Sequence, residues 1–149
     1  MEEEKVIVQN KRALRNFDIL DTLEVGIQLE GYETKSIREG RVSLNGSYIK
    51  EKNGEFFIYD MFVAGNSSLH GGKSERRRRK LLMHKYEIIR WSTKVKEKGL
   101  TILPIDVHTS GNRIKLTIGL VRAKKMFGNK RKEEERRLKE EMSRVRRLR

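Results

Sequence analysis

The chain has 149 residues, with 35 Lys and Arg against 21 Asp and Glu, a formal net charge of +14 and a hydrophobic fraction of 36%. That length supports one core with an appendage rather than two domains, and so basic a balance points to a polyanionic partner, nucleic acid ahead of an anionic membrane. Cysteine is absent, which excludes disulfides and thiolate metal sites; with no secretory apolar region and no run of 18 apolar residues, a soluble cytoplasmic protein is expected.

In chain order, FDILDTLEVGIQL (from Phe17) carries apolar and β-branched runs that predict a strand, and EGYETKSIREG predicts a short helix closed by Gly40. SYIKEKNGEFFIYDMFVAG places Asn53-Gly54, the pair favoured in a type I′ turn, between two β-rich segments, so a hairpin follows. Residues 65–80, rich in Gly, Asn and Ser and ending in a basic run, predict a mobile loop. In KLLMHKYEIIRWSTKVKEKG the apolar residues Leu81, Leu82, Ile88, Ile89 and Val95 recur at sevens and Gly99 stands at the expected stop, which predicts an amphipathic helix. Trp91 belongs in its core rather than on a stacking surface.

LTILPIDVHTSGNRIKLTIGLVRA predicts a second hairpin about Ser110-Gly111-Asn112, with Ile114, Leu116, Ile118 and Leu120 facing in and Lys115, Thr117 and Gly119 facing water. Pro104, lacking an amide hydrogen, belongs at an edge or bulge. Several short strands with one or two helices predict a mostly β fold with flanking α, the antiparallel sheet closing into a small barrel.

Nothing in the pattern signals catalysis. His70, His84 and His108 have no metal-ligand spacing, and Gly71-Gly72-Lys73-Ser74 lacks the leading glycine of a phosphate loop, so no metal and no cofactor are expected. Glu24 with Glu30, or Glu33 with Glu39, read as solvated surface carboxylates rather than acid/base pairs. Glu24 stands apart because a carboxylate in a basic protein can accept from base amino groups or a 2′-hydroxyl.

Five adjacent cations, Arg76, Arg77, Arg78, Arg79 and Lys80, repel one another unless a polyanion passes nearby, which makes this run a candidate nucleic-acid contact. The planar guanidinium suits phosphate and stacks on unpaired bases, favouring RNA with exposed loops. His84, four residues after Lys80, stands at helical spacing and can stack on or bond to a base.

NKRA (Asn10–Ala13), LEVGIQLEGYETKSIREG (Leu23–Gly40), NGSYIKEKNGE, RKLLMHKYEI (Arg79–Ile88) and IGLVRAKK (Ile118–Lys125) occur in one order along nearly the whole chain. In these motifs the chain resembles the SsrA-binding protein (SmpB) family of bacterial trans-translation. The resemblance implies a barrel of oligonucleotide-binding (OB-like) type, no catalytic activity, and two partners: the tRNA-like domain of transfer-messenger RNA and the small-subunit RNA of stalled ribosomes. It implies roles for Glu24, Leu82 and His84 in RNA binding. With the basic residues, the candidate RNA site comprises Glu24, Lys35, Arg76, Arg77, Arg78, Arg79, Lys80, Leu82, His84 and Lys85, on a monomer without a membrane partner. The chain departs from the family pattern at Glu75, where a proline is usual, at Ala123, where glycine is common, and in KKMFGNKR, which is one residue longer and lacks an aspartate.

The organisation expected is a barrel over residues 1–123 and a basic tail over 124–149, whose 12 basic and 5 acidic residues hold net +7. Lys124, Lys125, Lys130, Arg131, Lys132, Arg136, Arg137, Lys139 and Arg144 are the tail candidates for the messenger channel. Leu138, Met142, Val145 and Leu148 lie on one helical face. Three i,i+4 pairs (Glu133 with Arg137, Glu135 with Lys139, Glu140 with Arg144) contribute about 0.2–0.5 kcal/mol each, too little to order a helix in water without a packed face. The tail is therefore expected to be disordered when free and helical on the ribosome.

Overall fold

A computed structural model describes residues 4–65, 75–124 and 129–147. Residues 66–74 of the expected loop, Lys125, Leu148 and the side chains of Lys130, Arg131, Lys132 and Glu133 lie outside what is described.

Strand β1 (Lys5–Gln9) leads into helix α1 (Lys11–Asn16) and the long strand β2 (Phe17–Ile27); helix α2 (Gly31–Arg38) and strand β3 (Val42–Ser43) follow. The first hairpin is β4 (Tyr48–Lys52) and β5 (Glu55–Tyr59), with φ of 55° at Asn53 and 77° at Gly54, the doubly positive turn that Asn-Gly predicts. Then come β6 (Phe62–Val63), β7 (Arg79–Leu82), helix α3 (Lys85–Lys98), the second hairpin β8 (Thr101–Ser110) and β9 (Arg113–Ala123), and helix α4 (Asn129–Arg147).

Strands β8, β4, β5, β7, β2 and β9 pair in that order, and β9 pairs back to β8, so the sheet closes on itself as a ring of antiparallel strands. Strand β1 adds to β8 beside β4, while β3 and β6 form a separate two-stranded sheet. Closure leaves few backbone edges unpaired, which is how short strands avoid intermolecular pairing. Inside the ring pack Val25, Ile49, Phe56, Ile58, Leu81, Leu116 and Ile118, with Ile88 and Trp91 of α3 in the same cluster; Trp91 is buried as expected. Pro104 sits at a bulge of β8 between Pro104 and Asp106. Asn10 holds that bulge: its N–H donates to the Ile105 carbonyl at 2.7 Å, its Nδ2 donates to the Pro104 carbonyl at 2.8 Å, and its Oδ1 caps α1.

Three expectations change. The helix predicted from Leu81 starts at Lys85, because Leu81 and Leu82 are taken into β7 by pairing with Ile27 and Gly26 of β2; seven-residue spacing cannot distinguish a strand feeding a helix from a longer helix. On α3 the buried residues are Ile88 and Trp91, whereas Ile89 is exposed. The face of β9 predicted to be wet is dry at one end, where Gly119 lies under Ile105, with no room for a Cβ, and Val121 is fully buried beneath α4.

The third change is the tail. Helix α4 lies against the ring, with Leu138, Met142 and Val145 packed into a second cluster with Ala13, Phe17, Tyr48, Leu103, Ile105 and Val121. Arg12 pairs with Glu141 at 2.5 Å, Arg146 donates to the Gly99 carbonyl, and Lys50 donates to the Arg146 carbonyl. Of the expected i,i+4 pairs, Glu135 meets Lys139 at 2.9 Å. The packed face that α4 needs is supplied by the outside of the chain's own ring.

Candidate nucleic-acid interface

The five-cation run does not form one surface. Arg77, just ahead of β7, and Arg79, its first residue, both turn inward to a single carboxylate. Glu33, fully buried on α2, accepts from Arg79 Nε at 2.7 Å and Arg77 Nη2 at 2.5 Å, and its Oε1 also accepts from the Glu30 N–H at 2.8 Å. Arg79 is 1% exposed and saturated: beyond Glu33 it donates to the carbonyls of Met61, Arg77 and Glu75. Burial alone would raise the Glu33 pKa, but the bonds from Arg77, the Glu30 backbone and Arg79 outweigh it and hold the carboxyl below its ordinary value.

Two expectations are thereby corrected. Arg79 is unavailable to a polyanion, and Glu33 is a buried ion-pair centre rather than a solvated carboxylate. A carboxylate flanked by two guanidiniums and a backbone donor satisfies its lone pairs without water, which is the condition for burying it. Arg77 keeps part of its side chain at the surface.

Arg76 and Arg78 do face outward. Arg76 lies 5.4 Å over the Phe62 ring and Arg78 4.6 Å over Phe57, arrangements that align the guanidiniums while leaving them exposed. Lys80 sits at 3.6 Å from Glu55, and Lys35 is exposed on α2.

A second group converges on the outer face of the ring. Glu24 and Gly26 lie two apart on β2 and so share a face; Gly26 pairs with Leu82 of β7 and with Lys115 of β9. A Cβ at Gly26 would meet the Leu82 Cβ at 3.2 Å, so the glycine gives Leu82 room to lie across β2. Leu82 is 53% exposed, although its apolar spacing placed it on the inner face of a helix. Two residues after it, His84 occupies the N-cap of α3, where Glu87 accepts from its backbone N–H at 2.9 Å, and its ring stacks on Tyr86 with centroids 5.5 Å apart. Tyr86 and Lys85 are both exposed. A half-exposed leucine, a stacked His–Tyr pair and a carboxylate on one face, with Arg76, Arg78 and Lys80 leading into it, offer apolar, stacking, hydrogen-bonding and phosphate contacts together.

Glu24 also has partners that sequence spacing did not connect. Its Oε2 lies 2.6 Å from His108 Nε2, and His108 Nδ1 lies 2.8 Å from Asp106. The link was hidden because the three residues stand on β2 and β8, with β9 between them; only the alternation on β8 hinted that Asp106 and His108 share a face.

Of the tail candidates, Lys124 follows β9, while Arg136, Arg137, Lys139 and Arg144 are exposed along α4.

A closed ring of antiparallel strands with cationic, stacking and hydrogen-bonding groups gathered on its outer face defines a polyanion-binding module of the kind that reads nucleic acid by shape and by unpaired bases. The family model described as SmpB protein matches residues 7–148. The chain is 42% identical to the SsrA-binding protein of Persephonella marina over 140 residues, covering 93% of this chain and 92% of the relative, and 40% identical to that of Aquifex aeolicus, covering 93% and 89%. It also resembles a solved structure described as "tmRNA-SmpB: a journey to the center of the bacterial ribosome", with a TM-score of 0.67 and 35% identity over 88% of this chain and 94% of that one. The chain belongs to the SmpB family, the SsrA-binding proteins.

Proposed function

We propose that the protein binds the tRNA-like domain of transfer-messenger RNA and carries it to stalled ribosomes, acting in the cytoplasm as a binding protein without chemistry of its own. The observation that carries this reading is the convergence of Glu24, Leu82 and His84 on one outer face of the ring, in a chain of the SsrA-binding family. Arg76, Arg78 and Lys80 supply phosphate contacts at its border, Leu82 and the His84–Tyr86 pair cover unpaired bases, and Glu24 accepts from a base amino group or a 2′-hydroxyl. Residues 124–149 act as a second basic module, whose helix α4 is docked on the ring at rest and is redeployed along the messenger channel.

RNA affinity is expected to fall by about 0.7–0.9 log units per tenfold rise in salt for each phosphate neutralised, measured by fluorescence anisotropy on a tRNA-like RNA. Affinity that hardly changes with salt, or equal affinity for unrelated stem-loops in competition, argues against the reading. A chain ending after Arg122, checked as folded by circular dichroism because α4 covers a buried cluster on the ring, is expected to retain RNA binding and lose ribosome rescue in a stalled-translation assay; loss of both in a folded chain would place the tail in the primary RNA site.

A further inference from the structure

We propose that His108 is a positioning residue for RNA binding: as an imidazolium clamped between Asp106 and Glu24 it fixes the Glu24 carboxylate at the RNA-facing surface and makes affinity fall as pH rises. The inference rests on the reading of Glu24 as an RNA contact. His108 is 5% exposed, and its two ring nitrogens each meet a carboxylate, Nδ1 with Asp106 at 2.8 Å and Nε2 with Glu24 at 2.6 Å; the Thr117 hydroxyl lies 3.4 Å from Nδ1. A neutral imidazole has one N–H, so it bonds one carboxylate and turns a lone pair toward the other; only the imidazolium donates to both. Glu24 is engaged through Oε2, which leaves Oε1 to accept from RNA.

Among the described residues, the other charges facing this group are the Glu4 carboxylate, which with Glu24 and His108 falls within a 4.8 Å group, and Lys115, the β9 residue in register with His108. Three carboxylates against one ammonium favour the protonated ring. Burial alone would lower the His108 pKa, but the bonds to Glu24 and Asp106 outweigh it and hold it above the ordinary histidine value. The stabilisation is therefore present at low pH and is lost as pH rises through that raised value.

The test measures affinity of the full chain for a transcribed tRNA-like RNA across pH at constant salt, alongside ring-nitrogen NMR of His108. Wild type is expected to weaken about three- to tenfold across the His108 titration, the scale of one charge-assisted hydrogen bond's contribution to orientation. His108→Gln should remove that step and bind at the high-pH wild-type level. Asp106→Asn, which keeps the imidazole, should shift the step to lower pH. Coincident pH profiles for wild type and both variants would overturn the inference. Glu24→Gln separates the two failures: if it binds like wild type, the reading of Glu24 is wrong and the role of His108 falls with it; if it weakens while the other profiles coincide, only the role of His108 fails.

Discussion

Glu33→Gln is expected to lower the unfolding free energy by about 3–5 kcal/mol, because it leaves Arg79 charged and buried without a counter-ion. At this chain length that corresponds to roughly 6–20 °C in Tm, read by thermal or urea denaturation. Replacing Arg79 alone should cost a similar amount. The double change Glu33→Leu with Arg79→Met should lose less than the sum, yet more than nothing, since Arg79 also donates to the carbonyls of Met61, Arg77 and Glu75. The Glu33 pKa is lowered in the folded protein. Its contribution is therefore complete above the unfolded value of about 4.3 and is lost as pH falls through the folded value. Wild type should show a steeper acid limb of stability against pH than Glu33→Gln. A loss below about 1 kcal/mol, in the range of an exposed pair, would show that the centre is solvated.

Helix α4 is expected to depend on its apolar stripe more than on its charges. Leu138→Ala removes a side chain that is 3% exposed, at about 2–5 kcal/mol, so the undocked fraction rises roughly 30-fold or more. Hydrogen exchange of amides 129–147 should speed up accordingly while β8 and β9 stay protected. A peptide covering 124–149 should show little helix by circular dichroism in dilute buffer, since about 1 kcal/mol of i,i+4 pairing cannot order it alone. Stable helix in that peptide, or unchanged exchange in Leu138→Ala, would show that the ring contributes nothing. Any ribosomal surface that takes up the stripe must compete with Phe17, Tyr48 and Val121, the contacts that hold it in the free protein.

Much of the fold was legible because local signals and tertiary fate agreed. Asn53-Gly54, the alternation from Ile114 to Leu120, the proline at the β8 bulge and Gly99 at the end of α3 are backbone constraints that act within a few residues. The proposed site was legible in parts. Charge pointed to Arg76, Arg78 and Lys80 and an isolated carboxylate in a basic chain to Glu24, but Leu82 enters the proposal only through its motif, since an exposed leucine leaves no periodic trace. The burial of Arg79 leaves no mark in the sequence, because a run of like charges looks uniform in one dimension. Which of its members turn inward emerges only when α2 presents Glu33 to Arg77 and Arg79.

By itself the sequence determined the family, the antiparallel strands and their turns, and the basic character, since each depends on neighbouring residues or on summed charge. Only the tertiary structure decided which cations are buried, that His108 reaches Glu24 across an intervening strand, and that the tail stripe has a docking face within the same chain. Those outcomes depend on contacts between residues far apart in the sequence: Glu33 and Arg79 are 46 apart, Glu24 and His108 84, Arg12 and Glu141 129. Their desolvation and geometry are set only when the ring closes.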